Sequence, residues 1–180
     1  GNPLSQHPRQ YSIEELSLPT TANYPIALPY TKWLIAQAAA NQGASLILTR
    51  IGYAKELGID PARWVYLQGY AHGMDIPLSQ RADPAGSKAM RRVLRATLER
   101  GECELQDVNM IDIYSCFPCA VHAAAEALNL PTDGSIPLTV TGGLPYFGGP
   151  GNNYTMHALA EMVQRLQFSQ GQKTALVTGN

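Results

Sequence analysis

Charge is scarce in this sequence. Lys and Arg number 13 and Asp and Glu 14, together 15% of 180 residues. The net charge of −1 leaves no broad basic surface for nucleic acid or an anionic membrane. Long apolar runs are also missing. None approaches the about 20 residues that cross a bilayer, and the start shows no secretory leader. Three cysteines are too few for the disulfide framework of a small secreted domain, so a reducing, cytoplasmic setting is expected. No second Cys/His pair stands at ligand spacing, so no metal is expected. Hydrophobic residues are not lacking: at 45% they exclude a disordered chain. A compact domain of this length buries roughly 70% of the surface its unfolded chain exposes.

Residues 1–42 read as an extended arm. Pro3, Pro8, Pro19, Pro25 and Pro29 interrupt it, Ser12 caps one helical turn at Ile13–Leu16, and an alanine-rich stretch, Tyr30–Asn41, is expected to be helical. Residues 43–180 alternate. Apolar runs at Ala44–Thr49, Trp64–Tyr70, Met110–Ile113, Leu138–Thr141 and Thr174–Thr178 read as strands. Periodic segments at Ile51–Leu57, Ser87–Arg100, Phe117–Leu128 and Tyr154–Phe168 read as helices. Strands alternating with helices predict an α/β layered fold with a mostly parallel or mixed sheet covered by helices. The sequence opens on Gly1 and closes on a strand running into Gly179-Asn180, so a piece of a longer protein, cut before its last strand, is expected.

Two motifs carry the chemistry. Cys116-Phe117-Pro118-Cys119 follows a strand and opens a helix, where the positive end of the helix dipole favours a thiolate. On that pattern alone, thiol–disulfide exchange is one reading and two small side chains in a core helix is another. The second motif, Gly142–Asn153, holds five glycines in twelve residues and runs straight into a helix. Such a loop lets backbone N–H groups approach an anion or a developing oxyanion, or simply makes a turn. It lacks the Lys-Ser/Thr pair of a phosphate-binding P-loop. His157, one turn inside the following helix, is an outside candidate. His7, His72 and His122 read as ordinary histidines.

Together these segments resemble a known family. Asp112-Ile113-Tyr114-Ser115-Cys116-Phe117-Pro118 resembles the Asn-Glu-Ala-Phe segment of thiolases, in its His-Asp-Cys-Phe version from sterol carrier protein-associated (SCP-x-type) thiolases. Gly142-Gly143 followed by Gly148-Gly149-Pro150-Gly151 is similar to the thiolase Gly-Gly…Gly-His-Pro-x-Gly loop. Asn41-Gln42-Gly43-Ala44 looks like the family's Asp-Gly-Ala-Ala, and the last strand looks like the one before its final glycine-rich turn. The order agrees over roughly residues 30–180.

The resemblance implies the C-terminal half of a duplicated α/β enzyme. Such an enzyme transfers acyl groups between coenzyme A and an acyl-CoA, with coenzyme A as substrate and no separate cofactor. It implies a nucleophilic cysteine in an N-terminal half, a homodimer, and acid/base and oxyanion groups from this half. Cys116 matches the acid/base cysteine. Tyr114 stands where the family has asparagine or histidine, and Gly149 where it has the loop histidine. Backbone N–H groups of Gly148, Gly149, Gly151 or Asn152, or the Asn153 side chain, are then expected to replace that histidine as oxyanion donors. The substitutions also bring in two alternatives: a non-catalytic thiolase-fold partner and a retro-aldolase-type carbon–carbon lyase with Tyr114 as acid/base.

Overall fold

The computed structural model describes residues 2–180. Its centre is a parallel pair of strands, β3 (Val108–Asp112) and β4 (Thr174–Val177), in the register Ile111 to Leu176 and Asp112 to Val177. Between them the chain passes through helix α4 (Pro118–Leu128), the short helix α5 (Leu144–Phe147) and helix α6 (Tyr154–Phe168). Helix α3 (Lys88–Arg100) packs on α4, and α6 packs on β4. The result is an α/β fold with helices against a small parallel sheet.

Local signals explain these elements. Ser87 caps α3 by accepting the N–H of Met90 at 2.9 Å, and its hydroxyl donates to Asp75 at 2.5 Å. Pro118 starts α4 at a position where no N–H is needed. Asn129, left-handed at φ 54°, ends it by returning its N–H to the last turn. Because successive strand residues face opposite ways, β3 divides the interior into two clusters. Ile111 and Ile113 join Leu94, Ala124, Leu128 and Leu176 in one. Tyr114 packs with Leu144, Phe147, Tyr154 and Ala158 in the other.

Several expected elements are absent among the described residues. Ala44–Thr49, Trp64–Tyr70 and Leu138–Thr141 are not strands. Their composition suits a sheet, but a strand exists only where a neighbour shares its backbone hydrogen bonds. Ile47 and Leu48 are exposed, as are Tyr66, Leu67 and Tyr70. Leu138 makes one such contact, its carbonyl accepting the N–H of Ile113 at 2.9 Å.

Tyr30–Asn41 is not an α-helix either. It holds strand β2 (Tyr30–Thr31, antiparallel to β1, Pro25–Ala27), a 3₁₀ turn at Lys32–Leu34, and then extended chain. Tertiary bonds take the N–H groups that a helix would use internally. Trp33 donates to the Asn23 side chain at 2.9 Å, Ala36 to the Cys116 carbonyl at 2.9 Å and Gln37 to the Leu144 carbonyl at 3.2 Å. The expected turns near the ends of this region are present as α1 (Ile13–Ser17) and α2 (Ile51–Glu56).

Candidate active site

The end of β3 leads into the candidate site. Tyr114 is fixed by its own N–H, which donates to the Thr178 hydroxyl just past β4 at 2.9 Å. Its ring meets the edge of Tyr154 at 5.7 Å between centroids. Cys116 lies in the same cluster, with Ala36 packed beside it. Burial, reinforced by nearby Cys116, raises the Tyr114 phenol above its ordinary value. Burial also raises the Cys116 thiol, and this outweighs hydrogen bonds to the sulfur from the Asn180 side chain and the Phe117 backbone. Both groups therefore hold their protons at neutral pH and are set up to donate rather than to accept.

The glycine loop is more occupied than its sequence suggests. Gly149 is buried, and its N–H donates to the Gln37 carbonyl at 2.9 Å. A Cβ on Gly149 would sit 2.9 Å from a Leu144 methyl, and one on Gly148 would sit 2.7 Å from the Gln42 side-chain oxygen. These glycines let the loop clasp the Ala36–Gln42 segment closely. The Gln42 amide completes the clasp by donating to the Phe147 carbonyl at 2.7 Å. Gly151 and Asn152 are exposed in a 3₁₀ turn that leads into α6. The Asn153 amide nitrogen lies 3.1 Å from Nε2 of His157, so Nε2 accepts and the ring proton sits on Nδ1. His157 is buried beside the Phe147 ring, and burial lowers its pKa, keeping it neutral at neutral pH.

Cys119 is exposed, and its nearness raises the Tyr30 hydroxyl above its ordinary value. The intervening Phe117 is extended, at φ −139° and ψ 152°, so Cys116 stands before the start of α4 and Cys119 in its first turn. Both are free thiols. Burial holds the Cys116 thiol above its ordinary value, away from the thiolate that a redox nucleophile requires. His72 and His122 are exposed. No group of three His, Cys, Asp or Glu side chains close enough to hold a metal occurs among the described residues. Nor is any helix there long and apolar enough to cross a membrane.

Beneath the site lies a network that motif reading misses. Asp112 is fully buried, and one of its oxygens accepts from the Thr139 hydroxyl (2.8 Å), Val140 N–H (2.9 Å) and Thr141 N–H (3.1 Å). Its other oxygen accepts from the Tyr154 hydroxyl at 2.9 Å. The signal available in the sequence was a carboxylate inside the apolar run Met110–Ile113. Such a charge is rarely buried without several donors.

A cavity of about 490 Å³ opens beside the Ala36–Gln37 segment. His7, Arg9 and Lys32 line it with Tyr24, Trp33 and Gln37, and no carboxylate contributes. Trp33 stacks on Tyr11 at 4.3 Å, and Lys32 lies 5.4 Å from the Tyr24 ring centre.

No protein-family model matches the chain, and no curated protein does. Among solved structures, it is similar to the crystal structure of a monomeric SCP2-thiolase-like protein type 1 from Mycobacterium smegmatis. The identity is 40% and the TM-score 0.92, over 99% of this chain and 39% of the other. The chain thus spans less than half the length of that protein. Over the part it spans, its α/β architecture is that of an SCP2-thiolase-like fold.

Proposed function

We propose that this chain is the C-terminal half of a thiolase-like protein that binds an acyl-CoA and takes part in acyl transfer or Claisen-type carbon–carbon chemistry. The observation that carries this reading is the placement of Tyr114 and Cys116. Both sit at the carboxyl end of β3, in one apolar cluster with the glycine loop, and both retain their protons. A buried thiol can protonate the carbanion that leaves when a carbon–carbon bond next to a thioester breaks. The resulting thiolate then takes the proton of the attacking CoA thiol, restoring Cys116. The nucleophile that holds the acyl group would come from the N-terminal half.

The cavity supports the CoA part. Arg9 and Lys32 supply local positive charge for phosphates on a protein whose net charge is −1. A homodimer and a cytoplasmic location belong to the same reading. A single monomeric mass in solution would remove the dimer.

The test uses the full-length protein with acetoacetyl-CoA and CoA. CoA-dependent cleavage that drops at least about tenfold in Cys116→Ala supports the reading. Equal rates in the two proteins would remove the acid/base role. Tyr114 and Gly149, standing where thiolases carry other residues, favour a second reading as a retro-aldol lyase subunit or a non-catalytic partner. Binding of acyl-CoA without cleavage would select the partner. Release of a ketone or aldehyde that is lost in Tyr114→Phe would select the lyase. A CxxC oxidoreductase ranks below these because burial keeps the Cys116 thiol protonated, and reduction of insulin by the isolated chain would revive it.

A further inference from the structure

The Asp112 network does more than fill the interior. A carboxylate without a cation is buried only where neutral donors replace water, and here the donors come from one short segment and one helix. Thr139, Val140 and Thr141 fold over the end of β3 to reach it, which carries the chain into Gly142-Gly143. The same threonine oxygens then accept the next two N–H groups: Gly142 donates to Thr139 at 3.1 Å and Gly143 to Thr141 at 3.0 Å. On its other oxygen Asp112 holds Tyr154, whose hydroxyl also lies 2.5 Å from Thr141. The Tyr154 ring is the surface on which Tyr114 rests.

We propose that Asp112 is the positioning residue of this site, setting the Gly142–Gly143 turn through Thr139 and Thr141 and the Tyr114 ring through Tyr154. It touches no reacting atom. It acts by giving the turn, which meets Ser115 next to Cys116, and the ring one shared anchor, so that the two move together or not at all. The inference rests on the proposed site, but not on any turnover by it.

The experiment compares Asp112→Asn and Tyr154→Phe with Leu94→Ala in the full chain. Leu94 belongs to the aliphatic cluster on the opposite face of the sheet and serves as a purely structural control. Three quantities are measured: thermal midpoint, amide hydrogen exchange at Gly142 and Gly143, and the rate of Cys116 alkylation by iodoacetamide, read on its peptide. At equal distance below each midpoint, Asp112→Asn should speed exchange at Gly142 and Gly143 about tenfold and raise Cys116 alkylation several-fold. Leu94→Ala should change neither. Tyr154→Phe, which keeps the ring and loses the hydroxyl, should show a smaller rise in both. If Asp112→Asn does not fold, the Tyr154→Phe comparison decides. Equal exchange and alkylation in the control and in the network variants would overturn the proposal. Because no readout involves acyl-CoA, a protein that fails the cleavage test but shows these changes loses the function and keeps the positioning role.

Discussion

On one face of the β3–β4 pair, Ile111, Ile113 and Leu176 meet Leu94, Ala124 and Leu128, and every contact is between hydrocarbon groups. On the other face Asp112 and Tyr114 meet Tyr154 and Thr141, with Cys116 at the edge. The first face needs only shape and dryness. The second buries a carboxylate and several hydroxyls, each of which must keep its partner. A chain that only had to fold would gain nothing by burying a charge where a hydrocarbon would serve. The proposed site lies on the second face.

Substitutions can break or sharpen this contrast. The largest effect belongs to the aliphatic face: Leu94→Ala should lose about 3 kcal/mol of stability by leaving a cavity, measured by denaturant unfolding. Next comes the joint between the faces. Gly143 has φ 83°, and a Cβ there would lie 2.7 Å from the Ser115 hydroxyl. Gly143→Ala should therefore cost about 2 kcal/mol by the same measurement. Tyr154→Phe leaves an Asp112 oxygen short of a donor and should cost about 1–2 kcal/mol. A loss as large as that of Leu94→Ala would show that the polar face carries the fold, and the contrast drawn above would fail. The smallest effect is expected far from both faces. Arg95→Ala removes an exposed pair with Glu99 and should move the thermal midpoint by less than about 2 °C.

What could be read in advance follows the range of the forces involved. Helices α3, α4 and α6 announce themselves because apolar spacing and caps such as Ser87, Pro118 and Asn129 lie within a few residues of each other. Strands β3 and β4 were legible as buried apolar runs. Ala44–Thr49 and Trp64–Tyr70 carry the same composition, yet pairing is decided by a partner elsewhere, which composition does not encode. Tyr30–Asn41 shows the reverse case, where alanine propensity yields to bonds made by Ala36 and Gln37 to distant carbonyls.

The site was legible in the same uneven way. Tyr114, Cys116 and the glycine loop stand out as motifs and come together in the fold. The use of the Gly149 N–H by Gln37, and the anchoring role of Asp112, depend on neighbours more than 20 residues away in sequence. No local pattern could have shown either.

Strand β4 bonds to β3 along one edge, and its other edge joins no strand among the described residues. A free edge is a template on which any extended chain can add itself, and nothing in Thr174–Val177 carries a charge to repel it. Ile47, Leu48, Leu67 and Met74 add exposed greasy surface on extended chain. Expressed as these 180 residues alone, the polypeptide should therefore be colloidally unstable, associating at rising concentration through strand addition. A lysine introduced on that edge would be the direct remedy.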